Sequence, residues 1–455
     1  MGGATAAAAG TGAVFARPAV AKKAANDDYD AIVIGAGFAG ATAARDLRDQ
    51  GLNPLVLEAR DRVGGRVWSS EWQGQEIELG GAWLHPNYHL TYQEMDRYGL
   101  GTVTDIATEE LIMPRNGGFE VVGDPVAVGE RIGVLMSQVF DGAEEYFPRP
   151  NEPLYRADLL ESLDPLSLAD RLAELAFSPE DLSLIHGPIA TYAGGDAADG
   201  GLTALAQWWA LSGWTAEGWG LMTAHRIAGG ASSLVSAILN GADADVRLNS
   251  PVTSISDDGS GVTVTTGGGD SFTAPVAVVT VPVNVWRTIR FAPGLPTVHA
   301  DATREGVGIR PASGKMWLRV TGDLKRVSAQ GDAGDPISAL FTHDYLPNGD
   351  SLIVANNGPG LDVTDLASVN AAVKRMLPGA EVVEGRVQDW VADPYSQGGW
   401  GMRRPGQMLR QLPAIHRPHG RITFASGDMP NGWIGSFEGA IETGSRAAAQ
   451  AVALL

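Results

Sequence analysis

The residues with the clearest chemical meaning form a glycine-rich loop near the start of the chain. Gly35, Gly37 and Gly40 have the spacing G-x-G-x-x-G, and Phe38 and Ala39 lie between the last two. Such glycines allow, in turn, a tight turn, close approach of the backbone to a pyrophosphate, and close packing of a helix on a strand. The first N–H groups of that helix and its dipole favour bound phosphate. The loop therefore predicts a dinucleotide site.

An acidic residue and a second glycine pair follow this loop. Glu58 comes 18 residues after Gly40, where a carboxylate can accept hydrogen bonds from ribose hydroxyls. Gly64-Gly65 is flanked by Arg62 and Arg66, which suits a second close approach to pyrophosphate with guanidinium charge facing it. A nicotinamide site does not need this extension. The combined pattern indicates FAD.

These residues need a particular set of elements to position them. The apolar, β-branched run 32–34 predicts a buried strand before the loop, 41–50 predicts a helix, and 55–57 predicts a second strand that ends at Glu58. Further strands are predicted at 245–248, 251–255, 261–266, 271–273, 277–282 and 421–425, and a terminal helix at 439–455.

The separation of these segments predicts an α/β fold in which a Rossmann-like FAD-binding domain is interleaved with an α+β substrate domain. The predicted FAD-binding domain consists of residues 28–85, 226–287 and 415–455. The predicted substrate-binding domain consists of residues 86–225 and 288–414. The first of these stretches reads as mostly helical, for example at 158–176. The second mixes strands at 316–321 and 351–355 with a helix at 369–376.

Composition excludes several classes of function. The chain has 455 residues and a net charge of −20, which argues against nucleic acid or anionic membrane partners. It has 0 cysteines, so disulfides, thiolate metal sites and a cysteinyl-linked flavin are excluded and FAD is expected to be non-covalent. No apolar run is long enough to predict a membrane span, and no His/Asp/Glu cluster has the spacing of a metal site.

Residues 1–27 are predicted to lie outside the fold. Small residues dominate 2–21, and Lys22-Lys23 follow. This resembles the apolar and cleavage regions of an export signal whose basic start is missing, and no twin arginine precedes it. Two interpretations stay open: a truncated Tat-type leader of an exported, periplasmic protein, or a disordered tail of a cytoplasmic one.

Motifs along the rest of the chain resemble those of the flavin-containing amine oxidases, the monoamine-oxidase-like family. They are the loop 35–40, Glu58, RVGGR at 62–66, ELGGAWLH at 78–85, RIAGG at 226–230, Pro251-Val252, TVP at 280–282, Lys315, Trp400, Gly427-Asp428 and EGA at 438–440. FPRP at 147–150, THDY at 342–345 and WVADP at 390–394 are most similar to the bacterial nicotine oxidoreductase and 6-hydroxynicotine oxidase branch.

The resemblance implies oxidation of an amine C–N bond to an imine by hydride transfer to flavin N5, with reoxidation by O2 or a cytochrome-type electron carrier. It implies that Lys315 contacts N5 through a water; the alternative is a strand-edge lysine with its head in solvent. It also implies that Trp400 is one wall of an aromatic cage, the alternative being a core tryptophan. These two residues are the catalytic candidates.

The substrate side departs from the family pattern. Ser436 stands where the family usually carries an aromatic residue and the nicotine branch an amide, so it leaves room and offers a hydroxyl. Ala339 and Pro188 stand where the nicotine enzyme carries bulky aromatics, which predicts a wider pocket. Tyr192 and His343 are candidate lining residues, and either could equally be an ordinary core or loop residue.

The resemblance also implies the cofactor contacts. Val252 would present backbone groups to adenine, and Asp428 would lie near the ribityl and pyrophosphate chain. The expected cofactor-binding residues are Gly35, Gly37, Phe38, Ala39, Gly40, Glu58, Ala59, Arg60, Gly65, Arg66, Gly81, Ala82, Trp83, Val252, Gly427, Asp428 and Ser436. Residues 82–84 replace the arginine with which related amino-acid oxidases hold a carboxylate, so an α-amino-acid substrate is disfavoured.

Three hypotheses follow from the sequence. The leading one is an FAD-dependent amine oxidase or dehydrogenase acting on a nicotine-like alkaloid or a bulkier amine. The second is a desaturase-type flavoprotein acting on C–C bonds, and the third is a non-catalytic FAD-binding module. Neither alternative needs Lys315 and Trp400 together. The electron acceptor and the oligomeric state, including a homodimer, stay open.

Overall fold

The computed structural model describes residues 29–104, 107–308 and 314–455. The predicted leader, residues 1–27, lies outside the described residues. The strands are β1 (Ala31–Ile34), β2 (Pro54–Leu57), β3 (Ser69–Trp72), β4 (Gln75–Glu78), β5 (Trp83–Leu84), β6 (Thr102–Val103), β7 (Glu110–Arg115), β8 (Gly118–Val121), β9 (His225–Ile227), β10 (Asp245–Arg247), β11 (Val252–Asp257), β12 (Val262–Thr266), β13 (Ser271–Ala274), β14 (Val276–Val279), β15 (Arg290–Ala292), β16 (Gly314–Thr321), β17 (Val327–Gln330), β18 (Ile337–Tyr345), β19 (Ser351–Asn357), β20 (Glu381–Asp389) and β21 (Ile422–Phe424).

The helices lie between and after these strands. They are α1 (Phe38–Asp49), α2 (His89–Tyr98), α3 (Pro125–Val139), α4 (Ala143–Tyr146), α5 (Ala157–Leu160), α6 (Leu168–Leu175), α7 (Pro179–Tyr192), α8 (Leu202–Leu211), α9 (Ala216–Gly220), α10 (Ala231–Gly241), α11 (Thr297–Glu305), α12 (Leu366–Met376), α13 (Gln407–Gln411) and α14 (Phe437–Val452), with short 3-10 turns at Leu221–Thr223, Val283–Thr288 and Ala414–His416. Among the described residues, no helix is both long and apolar enough to cross a membrane.

A five-stranded parallel sheet in the order β10-β2-β1-β14-β21 carries the glycine loop. β1, β2 and β14 are buried at every residue, as expected for apolar strands covered on both faces. α1 and α14 pack against each other on this sheet, and a Cβ on Gly444 would lie 2.5 Å from the Ala39 carbonyl oxygen. The α/β fold predicted from three distant segments is confirmed.

A four-stranded sheet in the order β13-β12-β11-β15 lies next in the chain. β11, β12 and β13 are antiparallel neighbours, as the glycine-rich turn after β12 predicts. β15 is added parallel to β11, with Ile255 opposite Phe291. The predicted domain boundary at residue 287 therefore separates two paired strands, and this sheet continues to Ala292.

The second large sheet has seven strands in the order β20-β16-β19-β18-β17-β7-β8. Its two faces differ because side chains alternate along each strand. Met316, Leu340 and Ala355 on one face form a buried cluster with Val373 of α12. The opposite face turns toward a large cavity.

The predicted helix over 158–176 is wrong. The structure has two short helices there, α5 and α6, separated by an irregular segment that contains Pro165. Ser167 starts α6 with a capping box, in which its hydroxyl accepts from the Asp170 N–H and the Asp170 carboxylate accepts from the Ser167 N–H. Proline and a strong N-cap thus restart the helix.

Candidate active site

One cavity of about 840 Å³ runs between the two large sheets. Gly35, Glu58, Thr280 and Ser426, which line one part of it, each follow the carboxyl end of a strand in the parallel sheet. Ligands of open α/β sheets bind at this edge. The far part is lined by the seven-stranded sheet and by α7.

The glycine loop has the geometry that its spacing predicts. Gly35 has φ +107, and a Cβ on Gly40 would lie 1.9 Å from the Gly35 carbonyl oxygen, so helix α1 packs directly on the turn. Gly37 faces the second glycine pair, because a Cβ on Gly37 would lie 3.9 Å from Gly65 Cα. The two thin backbone segments form one wall of the cavity, and of the three motif glycines only Gly40 lies outside the cavity lining.

Glu58 is fixed beside the loop by the backbone. Its two carboxylate oxygens accept hydrogen bonds from the N–H groups of Ala36 at 2.8 Å and Arg60 at 2.9 Å. Arg60 in turn donates to Asp393 at 2.6 Å and to Ser396 at 2.9 Å. Glu58, Ala59 and Arg60 all line the cavity, as predicted for the ribose end of a dinucleotide.

The two arginines around the second glycine pair have different roles. The Arg62 guanidinium donates to the carbonyls of Val63, Gly65 and Val67. Burial, together with nearby Arg60, lowers the pKa of Arg62 to about 10. The expectation that both guanidinium groups face a pyrophosphate is wrong for Arg62, which instead satisfies the carbonyls of a tight loop. Arg66 does line the cavity.

Asp428 holds Arg66 in place. The buried Asp428 carboxylate accepts from Arg66 Nη1 at 2.6 Å, from the Val283 N–H at 3.0 Å and from the Ser426 hydroxyl at 3.0 Å. Arg66 Nη1 also donates to the Gly399 carbonyl at 2.7 Å. Asp428 itself does not line the cavity, whereas Gly427 does. Arg66 thus lies in the cavity lining, and Asp428 lies behind it as its ion-pair partner.

Lys315 is a buried lysine at the junction of the two parts of the cavity. It is the second residue of strand β16 and is only 7% exposed. Its Nζ donates to the Gly80 carbonyl at 2.8 Å and lies 4.3 Å from the centroid of the Trp83 ring. The alternative of a strand-edge lysine with its head in solvent is thereby excluded.

Aromatic side chains surround the part of the cavity beyond Lys315. Of the predicted site residues, Trp400, Trp83, Tyr192, Gly81, Ala82 and Val252 line the cavity. Burial raises the pKa of Tyr192 to about 12, so its phenol stays neutral. Sequence reasoning missed the other aromatic and polar lining residues. They are Tyr88, Trp208, Phe341, Trp390, Gln330, Asn356 and Asn357. A polar Asn-Asn pair that ends the apolar strand β19 was a readable signal.

Two of the substrate candidates need correction. The Ser436 hydroxyl accepts from the Gly439 N–H at 3.1 Å and donates to the Trp433 carbonyl at 2.7 Å, because Ser436 is the N-cap of α14. Ser436 lines the cavity, but its hydroxyl is committed to the helix. His343 is outside the cavity lining. Its ring packs edge-on against the Trp317 ring, with 4.8 Å between the ring centroids. Ala339 does line the cavity.

Comparison with known proteins agrees with this geometry. The sequence pattern described as flavin containing amine oxidoreductase matches residues 38–452. The chain belongs to this family. It is 37% identical to nicotine dehydrogenase of Pseudomonas putida (strain DSM 28022 / S16), covering 99% of this chain and 95% of the relative. It is 32% identical to (S)-6-hydroxynicotine oxidase of Paenarthrobacter nicotinovorans, covering 91% and 97%.

A solved structure supports the fold. Putrescine oxidase bound to putrescine has a TM-score of 0.80 at 23% sequence identity, covering 94% of this chain and 99% of that one. The cavity residues fit the family's flavin: two glycine backbones meet where a pyrophosphate needs close approach, a fixed carboxylate lies at the ribose end, and Arg66 supplies positive charge. The chain is thus an FAD-dependent oxidoreductase acting on an amine. Among the described residues, no group of three or more His, Asp or Glu side chains could hold a metal ion.

Proposed function

We propose that this oxidoreductase acts on a bulky alkaloid-type amine related to nicotine, which it oxidises at the carbon next to nitrogen. The observation that carries the proposal is the buried Lys315 ammonium, which lines the cavity 2.8 Å from the Gly80 carbonyl oxygen and 4.3 Å from the centroid of the Trp83 ring. The two nicotine-related relatives cover almost the whole chain, which supports the same substrate class.

The chain's own residues bind, orient and dehydrate the amine. Trp400, Trp83 and Phe341 offer aromatic faces and edges that pack on an apolar ring and exclude water. FAD, when bound, supplies the two-electron acceptor for the hydride that leaves the amine carbon. Loss of that hydride carries away both electrons of the C–H bond and converts the neutral amine to an iminium ion, so the hydride step needs no protein base. An amine that carries an N–H then releases that proton to water and becomes the imine. The Lys315 ammonium is held by the Gly80 carbonyl, ready to hold a water or a developing negative charge.

The charges along the cavity favour a substrate with no second charged group. Glu58 is the one carboxylate among the described lining residues, and backbone N–H groups occupy both of its oxygens. The lining arginines, Arg60 and Arg66, are each paired with an aspartate at 2.6 Å. A substrate carboxylate would find no unpaired arginine and a distal ammonium no unpaired carboxylate, which is unfavourable in a water-poor site. Amino acids and diamines are therefore poor candidates.

A substrate screen tests this proposal. We expect nicotine, 6-hydroxynicotine and bulkier cyclic amines to be oxidised, and putrescine and amino acids to be inactive. Product is measured as the ketone or aldehyde that forms when the imine is hydrolysed. Parallel assays for H2O2 release and for cytochrome c reduction identify the acceptor, because the two electrons must reach one of them. Efficient turnover of putrescine or an amino acid, without turnover of cyclic amines, would contradict the assignment.

A further inference from the structure

One row of cross-strand neighbours crosses the cavity face of the seven-stranded sheet. Lys315 is opposite Asn356, Asn356 is opposite Ala339, and Ala339 is opposite Gln330. Directly opposed residues of antiparallel strands share a face, and all four residues line the cavity. In the other direction the row ends at Gln388 of β20, which is outside the cavity lining. The row therefore runs from the reacting end of the cavity to a glutamine at its far end.

Ala339 is the one small side chain in this row, and it leaves the passage to the far end open. Beyond it the cavity continues to Gln330 and to Ser328, two residues earlier on the same face of β17. Pro188 and Thr191 of α7 close this space from the opposite side. A large side chain at position 339 would fill the passage. The small Ala339 side chain therefore keeps the space at Gln330 and Ser328 continuous with the rest of the cavity.

The far end presents hydrogen-bond acceptors in a fixed orientation. Gln330 Nε2 donates to the Ser338 carbonyl at 2.5 Å, which turns the amide oxygen Oε1 away from that carbonyl. An amide nitrogen must face a carbonyl, so the opposite orientation is disfavoured. Ser328 adds a hydroxyl to the same space. This arrangement suits a group that donates a hydrogen bond.

The same space suits a neutral donor and not a cation. Glu58, whose oxygens are occupied by backbone N–H groups, is the one carboxylate among the described cavity-lining residues, and it lies after β2 in the other sheet. An ammonium at Gln330 would be desolvated without a counter-ion, whereas a hydroxyl or amide N–H needs only an acceptor. Two strand spacings separate Asn356 from Gln330, so the donor would lie about 10 Å from an amine beside Asn356.

We infer that Gln330 and Ser328 form a distal subsite for a hydroxyl or N–H group on the substrate, and that Ala339 admits the substrate to it. The inference rests on the proposed amine oxidation and names a further feature of the substrate. The substrate class is an amine whose neutral hydrogen-bond donor stands on the order of 10 Å from the oxidised carbon. Shorter amines without that group fill only the aromatic part of the cavity.

Paired substrates test the subsite in the FAD-loaded enzyme. The probes are N-methylalkylamines of increasing chain length, each with and without a terminal hydroxyl. We expect the hydroxyl to raise kcat/KM by about 2- to 13-fold at one optimal length, as one well-formed neutral hydrogen bond provides. Gln330→Met should abolish this preference, so that the two members of each pair give equal kcat/KM. Gln388→Met, at the other end of the same row, should keep the preference.

A second variant tests the passage. Ala339→Phe should abolish turnover of the long amines and retain turnover of the shortest amine. Equal kcat/KM for the two members of every pair, or a preference that survives Gln330→Met, would overturn the subsite while amine oxidation stands. If neither series is oxidised although nicotine is, the subsite is overturned while amine oxidation stands; if nicotine is not oxidised either, amine oxidation itself fails. These results are distinguishable because the hydroxyl-free amines report on the chemistry alone.

Discussion

The replacement Asp428→Asn tests whether the buried carboxylate holds Arg66 against the cofactor. Asp428 accepts from Arg66 Nη1 at 2.6 Å on one oxygen and from the Val283 N–H and Ser426 hydroxyl at 3.0 Å on the other. Asparagine has one carbonyl oxygen, so its NH2 group must face either Arg66 or the Val283 N–H. Either orientation sets donor against donor in a fully buried site.

The cost follows from the loss of a buried ion pair. Breaking such a pair by neutralising one partner costs about 3–5 kcal/mol, and part of this appears in folding and part in FAD affinity. We expect urea unfolding of the apoprotein to show the first part and FAD fluorescence titration to show at least a roughly tenfold weaker Kd.

The matched control for this variant is Asp158→Asn. Asp158 pairs with Arg156 at 2.8 Å on the surface, where an ion pair is worth about 0–1 kcal/mol. FAD affinity should stay unchanged in the control. If Asp428→Asn changes neither the unfolding free energy by more than about 1 kcal/mol nor the FAD Kd, the role assigned to the Arg66–Asp428 pair is wrong.

Three further predictions concern other buried groups. Lys315→Met should retain FAD and lower kcat by about 100-fold, as loss of one oriented donor does; a stopped-flow rate near wild type would refute this. Arg403→Met should cost about 2–4 kcal/mol in urea unfolding, because the Pro430 carbonyl and Gln207 Oε1 lose their buried donor; a loss under about 1 kcal/mol would contradict it. Burial, reinforced by the positive charge of Arg446, lowers the pKa of His416 in the folded protein to about 3. As the pH drops below about 6.5, the histidine of the unfolded chain is protonated and that of the folded chain is not. The free energy of unfolding therefore falls, by up to about 1.4 kcal/mol per pH unit. His416→Gln should reduce that slope, to which the buried His299, with its pKa lowered to about 4, also contributes. The slope is measured by urea unfolding between pH 7 and 5, and the same slope as in wild type would refute the prediction.

The parallel sheet was predictable because its signals are local. The strand before Gly35, the helix after it and the strand before Glu58 each carry their own apolar pattern and end in residues with special backbone or charge. The order of the seven-stranded sheet was not predictable, because β7 joins β17 across nearly half of the chain and no local signal specifies that pairing. The broken helix around Pro165 shows that a proline and a capping serine outweigh apolar periodicity.

The site was predictable where a sequence motif fixes the backbone, and less predictable where the role of a side chain depends on its hydrogen-bond partner. Lys315 and Trp400 lie at the cavity because the fold fixes the position of the strand that carries Lys315 and of the loop that carries Trp400. Arg62 donates to carbonyls of its own loop, and Ser436 caps a helix and donates to a nearby carbonyl. The spacing of residues in the sequence does not show which carbonyls lie within reach of these side chains. The distal subsite depends on the register of β17 with β18, a tertiary fact that sets Gln330 beside Ala339.

Anaerobic mixing of the purified FAD-loaded protein with an amine tests the central claim most directly. We expect nicotine or a bulkier cyclic amine to bleach the oxidised flavin absorbance band in single turnover, with one imine formed per flavin. The band should return when O2 or oxidised cytochrome c is added, because the two electrons then leave the protein. If the protein binds FAD and no amine bleaches the band, amine oxidation at this cavity is contradicted.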